Sequence, residues 1–61
     1  MKLQEYKYNK KIYTVDYRLK QFRHINKNGV IEFEEFDDDL GDRILAKMIR
    51  DGVADTSKLD L

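Results

Sequence analysis

The residues best placed to do chemistry lie between Phe22 and Phe36, in the stretch FRHINKNGVIEFEEF. Asn26, Asn28, Glu32 and Glu35 are oxygen donors on either side of Gly29. A calcium loop needs oxygen ligands at alternating positions, a turn glycine and a closing bidentate glutamate. Counting forward from Asn26, Glu35 arrives two residues too early, and a ligand is lost with the missing pair. Counting back from Glu35 puts Gly29 in place, but the first three ligand positions become His24, Asn26 and Asn28. Neither alignment leaves an acid in the first half of the loop. The run DDDLGD, Asp37 to Asp42, fails as well, because Met48 stands where the closing glutamate belongs. No calcium site and no other metal site is expected, and no cofactor.

Catalysis has little to work with. His24 is the single histidine and Ser57 the single serine, and Ser57 lies in the tail. A nucleophile, a base and an orienting acid cannot be assembled from them. The absence of cysteine removes thiol nucleophiles and thiolate zinc sites. Most of the clustered acids Glu34, Glu35, Asp37, Asp38, Asp39 and Asp42 are accounted for by helix capping and cross-strand pairing. The chain is read as a non-enzyme with no small-molecule substrate.

Charge points to partners instead. Lys and Arg number twelve and so do Asp and Glu, giving a net charge of +0. The charges are segregated. Residues 1–28 hold eight of the basic residues and only Glu5 and Asp16 as acids. Lys2, Lys7, Lys10 and Lys11 interleave with Tyr6, Tyr8, Tyr13 and Tyr17. Basic strands with exposed aromatics can stack single-stranded bases. That is the alternative reading, with the four lysines as its contacts. The main reading is a small protein-interaction module that binds a protein partner or a second copy of itself through Tyr6, Tyr8, Tyr13 and Tyr17. Tyrosine is enriched in interface cores.

These side chains need elements to hold them. At 61 residues the chain is one domain with a marginal core. Leu40, Ile44, Leu45, Met48 and Ile49 form one apolar helical stripe. Asp37, Asp38 or Asp39 can cap its start, and Gly52 supplies its stop. The helix is placed at 38–51. Gly41, in its first turn, is explained if a neighbouring strand approaches closely. Strands are expected at 2–8, 11–15, 17–25 and 30–36, with turns at Asn9-Lys10 and Asn28-Gly29. The fold class is α+β: a small antiparallel sheet of three to four strands, in two hairpins, packed against one C-terminal helix. The tail 53–61 frays unless Val53, Leu59 or Leu61 docks.

A four-residue loop, Asn26 to Gly29, sets a specific register. It places Ile25 opposite Val30, Arg23 opposite Glu32, Phe22 opposite Phe33, Lys20 opposite Glu35, Leu19 opposite Phe36 and Arg18 opposite Asp37. Apolar then meets apolar and each base meets an acid. Apolar pairs fall on both faces, which calls for a bulge or for a strand partly covered on each side.

The segments YTVDYRLKQFR and IEFEEFDDDLGDRILAKM resemble those of a group of short uncharacterised prokaryotic proteins. Those share a TVD-x-R-L-x-x-F-R segment, then E-F-x-x-F-D, then a short helix. The matching residues are Thr14, Val15, Asp16, Arg18, Leu19, Phe22, Arg23, Glu32, Phe33, Phe36, Asp37, Gly41 and Leu45. The resemblance implies a compact β-rich domain that ends in a helix, and carries no activity. No apolar run is long enough to span a membrane, and the N-terminus has no signal-peptide core. A soluble, cytoplasmic protein is expected.

Overall fold

The computed structural model describes residues 3–59. The elements in chain order are β1 (Gln4–Tyr8), β2 (Lys11–Asp16), β3 (Gln21–Ile25), β4 (Ile31–Glu35), α1 (Asp39–Arg50) and a short 3₁₀ turn, Thr56–Lys58. The four strands form one antiparallel sheet in the order β1-β2-β3-β4. The α+β architecture with two hairpins and a C-terminal helix is therefore present. Lys2 and Leu61, named in the sequence reading, lie outside the described residues.

Local chemistry explains each connection. Asn9 and Lys10 both take positive φ, 52° and 67°, as a two-residue type I′ turn requires. Tyr8 and Lys11 pair across it. At the end of β2 the Asp16 carboxylate accepts the Leu19 N–H at 3.0 Å. Lys20 then turns left-handed, at φ 56°. Residues 17–20 are thus a turn, not the first half of a strand. The change of face between Leu19 and Phe22 marks that turn, and Leu19 is left exposed.

The β3–β4 loop corrects the predicted register by one residue. Asn26 donates its N–H to the Val30 carbonyl at 2.9 Å, so the loop proper is Lys27-Asn28-Gly29. Gly29 takes φ 81°, as the left-handed position of a three-residue hairpin demands. The Asn26 side-chain oxygen accepts the N–H of Asn28 at 2.8 Å and of Val30 at 3.1 Å, which holds the loop to that length. Phe22 now opposes Glu34, Arg23 opposes Phe33 and Ile25 opposes Ile31. A slip of one residue sends every side chain to the other face. Phe33 accordingly lies on the face opposite Phe22.

The contacts that the four-residue loop implied are replaced by others. Arg23 pairs with Asp16 of β2 at 3.5 Å, and Glu32 meets the His24 ring nitrogen at 2.7 Å. Neither a bulge nor a strand covered on both sides reconciles the two apolar faces. One face is covered and the other is open.

The covered face holds the core: Tyr13, Val15, Phe22, Phe36, Ile44 and Met48. Phe22 and Phe36 rings lie 4.8 Å apart, and Tyr13 meets Phe22 edge-on at 6.3 Å. The helix presents Gly41, Ile44 and Met48 to this core. Leu40 and Leu45 are partly buried, whereas Ile49 of the predicted stripe is exposed. Gly41 is explained as expected: a Cβ there would collide with the Glu35 backbone.

Asp38 is the N-cap residue, but its side chain caps nothing in the helix. It turns back to accept the Glu35 N–H at 3.3 Å. At the other end Gly52 donates to Ile49 O and Val53 to Met48 O, a Schellman stop with Gly52 at φ 75°. The chain beyond it is docked through residue 59, with Ala54 and Leu59 against the core. Among the described residues no helix is long and apolar enough to cross a membrane.

Candidate functional site

The tyrosines expected to face a partner face the helix instead. Tyr6 and Tyr13 are cross-strand partners, and Tyr8 shares their side of the sheet. Tyr13 is 2% exposed and belongs to the core. Tyr6, Tyr8 and Tyr17 pack partly buried around it. Two of their hydroxyls are used within the molecule. Tyr6 donates to Asp51 Oδ2 at 2.8 Å. Tyr17, in the turn after β2, donates to Gln4 Oε1 at 2.6 Å and accepts the Asp55 N–H at 3.0 Å. Gln4 in turn donates to the Val53 carbonyl at 2.8 Å. The tyrosines therefore tie β1 and the β2 turn to the segment after the helix. Tyr13 is thus core and not surface, and the helix and the docked tail cover part of Tyr6, Tyr8 and Tyr17.

Electrostatics follow this placement. Burial against its neighbours, then the hydrogen bond to the Asp51 carboxylate, raises the Tyr6 hydroxyl above the ordinary tyrosine value. Burial, then Glu34 and Glu32 nearby, raises that of Tyr13. The Ser57 hydroxyl lowers the Asp55 carboxyl, with Lys58 assisting.

Four large, exposed apolar side chains lie on the other face. Ile12 is 59% exposed, Ile25 69%, Ile31 53% and Phe33 55%. Register brings them together. Glu5, Thr14, Arg23 and Phe33 form one row across the four strands. Beyond it, past the last β2–β3 pair, Lys7 pairs with Ile12 and Ile25 with Ile31 on this face. Ile12, Ile25 and Ile31 line a shallow depression with Glu5, Arg23 and Lys10. Lys11 and Lys27 stand at its loop end. Of the lysines offered for nucleic acid, then, Lys7 projects from the open face and Lys10 and Lys11 rim it.

Sequence reading missed Ile12, Ile25, Ile31 and Phe33 as a surface. The available signal was the set of apolar pairs on both faces of one hairpin. A single helix can cover only one of them.

His24, the one imidazole, donates from Nε2 to Glu32 and stacks edge-on against Tyr13 at 5.0 Å. Among the described residues no three His, Asp or Glu side chains converge as a metal centre would require. The Asn26 oxygen that a calcium loop would offer to the ion is occupied by two backbone N–H groups. Compared with protein-family models, with curated proteins and with solved structures, the chain finds no match.

Proposed function

We propose that this protein is a small cytoplasmic protein-interaction module, not an enzyme, and that it binds through the open face of its sheet. The observation that carries the reading is the contiguous exposure of Ile12, Ile25, Ile31 and Phe33 on one face. Scattered exposed apolar residues need no explanation, but a contiguous patch with a polar rim is characteristic of protein contacts. Lys10, Lys11 and Lys27 supply such a rim at one end, and Glu5 and Arg23 lie within the patch.

The nucleic-acid alternative retains one supporting observation, the cluster of Lys10, Lys11 and Lys27 around the depression. It loses its stacking platform. The tyrosines are turned to the other side, and Phe33 is the aromatic ring left on the open face. The protein reading is therefore the stronger.

Capture of host proteins on immobilised wild type and on the Ile25→Asp variant tests it. Ile25 is exposed and outside the core, so the variant is expected to keep its fold. A bound protein that survives high salt on wild type and is lost from Ile25→Asp is the expected result. Retention that collapses with rising salt and tracks nucleic acid would favour the alternative.

A further inference from the structure

Resting on that reading of the open face, we infer that its occupant is a second copy of this chain, packed face to face about a two-fold axis that runs across the strands. Two rows at the loop end of this face place neighbouring residues on each strand: Glu5 and Lys7 on β1, Ile12 and Thr14 on β2, Arg23 and Ile25 on β3, Ile31 and Phe33 on β4; Asp16, Gln21 and Glu35 continue the same face in a third row. A two-fold axis lying across the strands, midway between the two rows, keeps the strand order and exchanges the rows. Lys7 of one copy then lies over Glu5 of the other. Ile31 lies over Phe33, Ile12 over Thr14, and Ile25 over the aliphatic stem of Arg23. Every contact occurs twice. Lys7 matches Glu5, Ile31 meets Phe33, and Ile12 and Ile25 rest on Thr14 and the Arg23 stem, so the face is complementary to itself, as an isologous interface must be. Aligned packing of two twisted sheets accommodates this arrangement.

Two further features favour this mode. A net charge of +0 leaves no overall repulsion between copies. The alternative route, pairing of the exposed β4 edges, is opposed by Glu32, Glu34 and Glu35. Antiparallel pairing of two such strands would set carboxylate against carboxylate.

The test is sedimentation equilibrium on wild type, Lys7→Glu, Glu5→Lys, an equimolar mixture of those two variants, and Ile25→Asp. Circular dichroism checks that each remains folded. The expected wild type is a dimer in the micromolar range. Each charge variant places like charges together twice and weakens association on the order of tenfold. Mixing the two variants restores it, because both acids then sit on one copy and both lysines on the other, and opposite charges meet at each of the two contacts. Ile25→Asp is monomeric. A mixture no tighter than its components overturns this axis. A wild type that is monomeric at hundreds of micromolar overturns self-pairing. If Ile25→Asp still abolishes capture of a host protein, the interaction reading survives that loss. If a single-stranded oligonucleotide binds the monomer through Lys7 and Lys10, the occupant is nucleic acid. A dimer indifferent to Ile25→Asp and to both charge changes overturns the surface itself, and the proposed function with it.

Discussion

Gly41 on the helix and Glu35 at the end of β4 approach so closely that a Cβ on Gly41 would overlap the Glu35 carbonyl oxygen. The obstruction is backbone on both sides, so it cannot be relieved by a rotamer change. Gly41→Ala gains up to about 1 kcal/mol of helix propensity. It loses more to overpacking, which typically costs about 1–3 kcal/mol and more where backbone must move. Net destabilisation is expected, read as a lower urea midpoint. A midpoint equal to or above wild type would contradict the close approach.

Arg23 couples to Asp16, not to Glu32. A double-mutant cycle on Asp16→Asn and Arg23→Gln should give a coupling of about 0.2–1 kcal/mol, typical of a partly exposed pair. The register read from the sequence makes a different forecast, that Glu32→Arg rescues Arg23→Glu. With Arg23 opposite Phe33 and Glu32 opposite His24, no rescue is expected. Recovered stability in that double variant would restore the four-residue loop.

Calcium at millimolar concentration should leave the amides of residues 26–35 and 37–42 unshifted. The Asn26 side chain already serves the hairpin, and β4 carries its carboxylates away from the loop on an extended strand. Saturable chemical-shift changes with a dissociation constant below about 10⁻⁴ M would refute this.

Stability should fall at alkaline pH. Tyr6 and Tyr13 both titrate above their ordinary value in the folded chain. The fold thus favours their neutral form. The resulting stabilisation is fully present below pH about 10, where the unfolded tyrosine titrates. It is lost as pH rises through the higher folded value. Thermal unfolding at pH 9 and pH 11 measures the drop. Tyr6→Phe, which has no ionisable hydroxyl, should show a smaller one. An equal drop in wild type and variant would show that the Tyr6 environment is not what opposes ionisation.

What the sequence makes legible is local. Asn9-Lys10, Gly41 and Gly52 each mark a backbone demand that a few neighbouring residues can express, and the structure meets all three. The β3–β4 register is not legible in the same way. Asn28-Gly29 marks a turn without counting its residues, and the count is set by how the Asn26 side chain bonds Val30. That single residue decides whether Phe33 is core or surface. The tyrosines mislead for a different reason. A period-two pattern places Tyr6, Tyr8 and Tyr13 together but does not say which face a helix later in the chain will cover. The candidate surface inherits both errors, since it is the face left over once register and helix placement are known.

The bonds of Gln4 to Val53, Tyr6 to Asp51 and Tyr17 to Asp55 join residues 49, 45 and 38 positions apart. Every strand, by contrast, pairs with its neighbour in sequence. The sheet can therefore close through short loops, at little entropic cost and at high speed. The tyrosine ties close only after the helix has formed and the chain beyond it has returned to β1. They belong to the native side of the folding barrier, and they act as a brake on leaving the native state. Tyr17→Phe should accordingly raise the unfolding rate in stopped-flow experiments while leaving the refolding rate nearly unchanged.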